Sequence, residues 1–181
     1  MRARWNWFWR CGAPERNTMV STLELLRRLA AENAEFILVG GMACIAHGGS
    51  VVTEDVDVCI PFTLPNLERV LRALTGTQPR QRMRPDRPPI SNQAADFLGW
   101  RNLYVVTGAG QIDFLGELTG LGPYETLLPN AVRLDLGGFS CLVIGVEDLI
   151  RSKRAVGRPK DLRAAQELEQ ILRARAQSRP G

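Results

Sequence analysis

Lysine is nearly absent from this sequence. Of its 23 basic residues only Lys153 and Lys160 are lysines, and all the others are arginine. Histidine occurs once, as His47 in "IAHGG". An imidazole there suits a general base near neutral pH, but its place at the end of a short helical stretch fits a side chain capping carbonyls, and it takes no catalytic role. The four cysteines, Cys11, Cys44, Cys59 and Cys141, form no C-x-x-C pair, and three lie in apolar runs. They read as buried free thiols rather than zinc ligands or disulfides. No apolar run approaches bilayer-spanning length, and the start of the chain lacks the apolar segment of a signal peptide. No membrane association and a cytoplasmic location are the expectations. G-x-G-x-x-G is also missing, and strands and helices do not keep alternating, which argues against a doubly wound dinucleotide fold.

What is present is an ordinary globular composition, 45% apolar and 23% charged over 181 residues, with a net charge of +4. That length suits one domain with a sizeable core, and the mild basicity permits an anionic partner without requiring one. Residues 1–18 hold three of the four tryptophans. They read as a disordered leader or as an extension upstream of a start at Met19, with an RNA-stacking or membrane-touching arm as the alternative. The domain is expected over 19–176, with 177–181 as a tail.

Ser21 and Glu24 form a capping-box pattern before Leu25, Leu26 and Leu29, predicting a helix over 22–33. "EFILVGG" reads as a short buried strand, "MACIAHGG" as a short helix closed by glycine, and "DVDVCI" as a strand stopped at Pro61. Thr63 and Pro65 open a helix carrying Leu67, Val70, Leu71 and Leu74 on one face. Two hairpins follow, around Gly108–Gly110 and Gly137–Gly138, and then two amphipathic helices over 146–176. This order implies an α/β (α+β) fold, a mixed sheet flanked by helices.

Asp55 and Asp57 stand two apart in a strand and so point to one face. Burying ionised carboxylates in an apolar run costs several kcal/mol unless a cation compensates. A hard divalent cation such as Mg²⁺ does so and leaves room for phosphates. Asp113, between Ile112 and Phe114, is a third acidic strand residue. Three carboxylates on adjacent strands are the arrangement two-metal phosphoryl transfer requires. A lone D-x-D pair is equally a solvated edge-strand feature. Gly40 and Gly41, at a strand-to-helix junction, offer backbone N–H groups and close approach to a phosphate, or else make a plain tight turn.

"LVGG", a 13-residue spacer and "DVDV" resemble the signature of the DNA polymerase β nucleotidyltransferase superfamily. "QIDFLGEL" is similar to its later strand with the third carboxylate, and "VIGVEDLIRSKRAVGRPKDLRAAQELE" to the C-terminal motif of its small bacterial branch, which includes abortive-infection and toxin–antitoxin enzymes. The resemblance spans residues 20–172. It implies a minimal nucleotidyltransferase fold, an NTP substrate (ATP included) and two Mg²⁺ ions. Asp55 and Asp57 would hold both ions, and Asp113 the ion that activates the acceptor hydroxyl. It also implies Lys153 on the phosphates, Asp161 in support, and Gly40, Gly41, Ser50, Arg158 and Lys160 around the nucleotide. An antitoxin protein is a further partner it implies. Many relatives carry an arginine four residues before the first aspartate, where this chain has Val51.

The two lysines lie seven apart in "SKRAVGRPKD", where a compact ammonium suits a phosphate; a solvated helix–turn–helix surface is the alternative. Residues 77–93 place Arg80, Arg82, Arg84 and Arg87 against Asp86 alone, with no aromatic between the arginines. Such a loop is either a guide for an RNA backbone or a solvated proline-rich linker. The expected activity is transfer of an NMP from an NTP to an acceptor hydroxyl, with RNA (tRNA-like) the first choice. The alternatives are a weakly active nucleotide-binding or interaction module of the same fold, and a small-molecule transferase.

Overall fold

The computed structural model describes residues 18–177, so the tryptophan-rich stretch and Cys11 lie outside the described residues. Helix α1 runs Thr18–Ala31. Ser21 therefore sits inside the helix instead of capping it. Glu24 turns forward to Arg27 and Arg28, at 2.8 and 2.9 Å, because i+3 and i+4 neighbours lie within reach on a helix. Leu25, Leu26 and Leu29 are buried beneath it.

Strand β1 (Ile37–Val39), helix α2 (Gly40–Ala46), strand β2 (Asp55–Cys59) and helix α3 (Leu64–Leu74) follow in the expected order. Next come β3 (Arg80–Gln81), the hairpin β4 (Asn102–Thr107) and β5 (Gly110–Leu115), and a small ribbon, β6 (Glu117–Leu118) with β7 (Gly122–Pro123). Helix α4 (Tyr124–Leu127), the hairpin β8 (Val132–Asp135) and β9 (Ser140–Val143), and helices α5 (Val146–Val156) and α6 (Pro159–Gln177) complete the described residues. Gly157, at φ +72°, ends α5 in the left-handed conformation that glycine tolerates best, and Pro159 opens α6.

Seven strands form one mixed sheet in the order β3-β4-β5-β2-β1-β9-β8. Strand β2 is central, parallel to β5 and antiparallel to β1. Its Val56 and Val58, with Ile112 and Phe114 of β5, are fully buried on one face, and α1 packs against β5. Each such side chain contributes roughly 1.5–3 kcal/mol on burial.

Asn66 is also fully buried. Its Oδ1 accepts from the Glu35 N–H at 2.7 Å, and its Nδ2 donates to the carbonyls of Glu35 and Pro61 at 3.0 and 3.1 Å. One side chain thus ties the approach to β1 and the exit from β2 to α3.

The arginine loop is not a structureless excursion. Arg80 and Gln81 pair with Val106 and Val105 of β4, and Arg80 bridges to Pro89. The β4 edge has backbone groups that must be satisfied, and prolines are tolerated at such an edge because only their missing N–H is lost. The ribbon β6–β7 and helix α4 have no counterpart in the sequence reading. Cys44, Cys59 and Cys141 are buried free thiols, as their apolar settings implied. Among the described residues no helix is long and apolar enough to cross a membrane.

Candidate active site

The β-ladder registers place Asp57 directly opposite Asp113, and Asp113 opposite Tyr104. The Arg82 N–H continues this row by donating to the Tyr104 carbonyl at 2.9 Å. Registered neighbours share a face of the sheet. Asp57, Asp113, Tyr104 and Arg82 therefore line one face, with Asp55 two residues along β2 on the same side. The three carboxylates that the sequence pattern singles out stand on one face of two adjacent strands.

What compensates them in this arrangement is Arg82. Its guanidinium bonds Asp113 Oδ2 and lies 3.6 Å from Asp55 Oδ2, with the Tyr104 ring centroid 5.8 Å away. The sequence places this residue in a loop that is either an RNA guide or a solvated linker, yet it points inward to the carboxylates, and no feature of its own neighbourhood in the sequence signals that. Burial alone disfavours its charge, but the bond and charge of Asp113, with Asp55 and Asp57, outweigh that and hold it more firmly protonated than usual.

The compensation is partial. Burial and the nearby Asp113 and Asp55 charges push Asp57 up to about 6, against the opposing pull of Lys153 and the Gly41 N–H. Burial also raises Asp113, with Asp55 adding to the rise and Arg82 opposing it. Asp113 Oδ1 and Arg82 Nε are buried without a hydrogen-bond partner. Among the described residues no three acidic, histidine or cysteine side chains already converge as a metal-holding group.

The glycine pair has a function that the sequence did not disclose. Gly40 has φ +64°, and a Cβ there would stand 1.9 Å from Asp57 Oδ2. A Cβ on Gly41 would meet Thr53 at 2.6 Å. The room beside these two α-carbons is used by Asp57 and Thr53, so both glycines are needed to seat β2 and its acid against α2.

Lys153, on α5, carries enough field at Asp57 to lower its proton affinity. Its Nζ lies 3.2 Å from Asp161 Oδ1, with both side chains largely buried, and Arg158 Nε donates to the other carboxylate oxygen at 2.6 Å. Burial pushes the Asp161 carboxyl up, but the bonds from Arg158 and Lys153 together hold it below the usual carboxylate range. Lys153, Arg158 and Asp161 thus form one cluster, with Asp161 paired to both cations.

The other expected nucleotide contacts are less central. Ser50 is exposed, and its backbone N–H donates to Glu167 Oε1 of α6 at 2.9 Å. Lys160 lies on the exposed first turn of α6. In the loop, Arg84 pairs with Asp86 at 3.2 Å and Arg80 donates to the Arg87 carbonyl at 3.0 Å. His47 is buried, and its Nε2 donates to the Ile144 carbonyl at 2.7 Å. It caps a strand exit rather than its own helix, and has no place in the carboxylate row.

Chemically, three hard oxygen donors on adjacent strands, one of them with an unpartnered buried oxygen, fit a hard divalent cation. A comparison with protein-family models finds no match for this chain, and a search of curated proteins finds none either.

Proposed function

We propose that this chain is a divalent-metal-dependent nucleotidyltransferase, moving an NMP from an NTP to an acceptor hydroxyl. The observation that carries the reading is the register of Asp57 against Asp113, with Asp55 on the same face. The ordered resemblance of "LVGG", "DVDV", "QIDFLGEL" and the C-terminal helix pair to the DNA polymerase β superfamily supports it.

Asp55, Asp57 and Asp113 would hold the cations. When bound, Mg²⁺ supplies Lewis-acid stabilisation of charge on the α-phosphate and the leaving pyrophosphate, and eases deprotonation of the acceptor hydroxyl. Lys153 binds phosphate as a point charge, and Asp161 with Arg158 holds that lysine in place. Gly40 keeps Asp57 seated against α2. RNA is the first choice of acceptor, resting on the exposed arginines of the loop and on the resemblance to toxin–antitoxin enzymes, which also brings an antitoxin protein as a partner. A nucleotide-binding module with weak turnover is the second reading. It draws support from Arg82 standing on two of the three carboxylates and from Val51 at the position where many relatives have arginine.

The test is transfer of label from each α-phosphate-labelled NTP, with Mg²⁺, onto total RNA, total protein and a panel of hydroxylated small molecules. Asp57→Ala serves as control. Label on RNA that disappears in the variant supports the primary reading. Label on protein or small molecule keeps the chemistry and changes the acceptor. NTP binding without label in any fraction supports the binding module.

A further inference from the structure

We propose that Arg82 is the exchangeable counter-cation of the carboxylate row, occupying in the free protein the place that a divalent cation takes and leaving it when metal binds. The inference rests on the metal-binding reading above.

Three observations carry it. First, the guanidinium engages two of the three carboxylates. A divalent cation on the same oxygens would face a positive group at contact distance, a repulsion that low-dielectric surroundings strengthen. Metal and guanidinium therefore exclude each other.

Second, the ion pair is incompletely built. Arg82 Nε and Asp113 Oδ1 are both buried and unpartnered. A structural Arg–Asp pair gains most from paired, parallel hydrogen bonds that satisfy such atoms. One guanidinium, even with the field of Lys153 at Asp57, also leaves three carboxylates short of positive charge. Such a contact is more readily given up than a fully satisfied one.

Third, Arg82 is tied to the sheet through its backbone and not through its guanidinium. Arg82 directly follows the two-residue edge strand β3, held by its backbone N–H to Tyr104. Beyond it Met83 is exposed, and residues 84–87 form a surface turn. The anchor is thus main-chain, and the guanidinium can leave Asp113 while β3 stays paired. Once released at the rim of the row, it becomes a cation available to an incoming triphosphate, a charge that Val51 does not provide.

The test is Mn²⁺ titration by calorimetry, without nucleotide, on the whole chain and on Arg82→Gln and Arg82→Lys. Losing a charge-assisted competitor should tighten Mn²⁺ binding by about tenfold or more in Arg82→Gln, with Arg82→Lys between it and the parent. Mn²⁺ binding by the parent that is equal or tighter than in Arg82→Gln overturns the exchange and leaves the metal site standing. Absence of binding by parent and variants alike removes the metal site, and the exchange with it. A second measurement needs no variant. The buried Arg82 Nε–H should give a solvent-protected resonance in the free protein that loses protection on Mg²⁺ addition. A resonance unmoved while Mg²⁺ is bound also overturns the exchange.

Discussion

Gly40 and Asp57 are complementary: the α-carbon of Gly40 leaves only enough room for the Asp57 carboxylate, whose Oδ2 would lie 1.9 Å from any Cβ at position 40. Gly40→Ala should therefore lose stability twice, through the overlap and through its left-handed backbone, which costs a non-glycine residue about 1–2 kcal/mol. The expected total is about 2–4 kcal/mol. Removing the carboxylate relieves the worst of the overlap, leaving the Asp57 Cβ at 2.8 Å, and does not touch the backbone cost. In urea unfolding, Gly40→Ala/Asp57→Ala should lose less than the sum of the single variants. Strict additivity would show that the two groups do not compete for space.

Asp57 should destabilise the metal-free protein at neutral pH. Its folded value of about 6 lies above the ordinary 3.8, so between these values the folded state binds more protons than the unfolded one. Stability then falls as pH rises through that window and stays low above it, by up to about 3 kcal/mol. Asp57→Asn should melt at a higher temperature than the parent at pH 7.5 in chelator, with the gain shrinking towards pH 4. Saturating Mg²⁺ should reverse the order by stabilising only the parent. A variant less stable than the parent in chelator at pH 7.5 would count against an under-compensated Asp57.

Lys153 and Asp161 are buried partners, and loss of one partner of such a pair typically costs about 3–5 kcal/mol. Arg158 remains on the other oxygen of Asp161 at 2.6 Å, so Lys153→Met should lose only about 1–2 kcal/mol. Its larger effect should be on nucleotide, with affinity for an NTP falling about tenfold or more. Competition with a fluorescent NTP analogue reads this directly. Unchanged affinity would remove Lys153 from the phosphate site.

His47 should make the fold acid-sensitive. Burial holds its imidazole below the ordinary 6.5, and Arg175 adds to the effect, while the Ile144 carbonyl opposes it. A depressed folded value means that its contribution is complete above pH 6.5 and is lost as pH falls from there through the folded value. His47→Gln, which cannot ionise, should narrow its stability deficit relative to the parent as the pH is lowered from 7.5 to 5.5. Parallel curves for the two proteins over that range would refute the assignment.

Much of this architecture was legible along the chain because local forces wrote it. Alternation in "DVDVCI", the glycine turns at 108–110 and 137–138 and the helical spacing of Leu67, Val70, Leu71 and Leu74 reproduce the elements to within a few residues. The chain is already helical at Thr18, the first described residue, ahead of the expected start, because Ser21 and Glu24 match a capping box equally well as interior residues. There Glu24 finds its arginines one turn ahead. Strand β3 was missed because a two-residue edge strand between prolines has no periodicity of its own. It exists because β4 offers it an edge.

The same division runs through the candidate site. Residue order alone put Asp55 and Asp57 on one face, since a strand repeats every two residues, and marked Asp113 as an acid in an apolar strand. Strand pairing decided that Asp113 stands opposite Asp57, that Gly40 exists for Asp57, and that Arg82, more than 20 residues from either acidic strand, is their counter-ion. Periodicity acts between neighbours in the chain. Charge compensation acts through space, across a ladder whose register only the folded sheet sets.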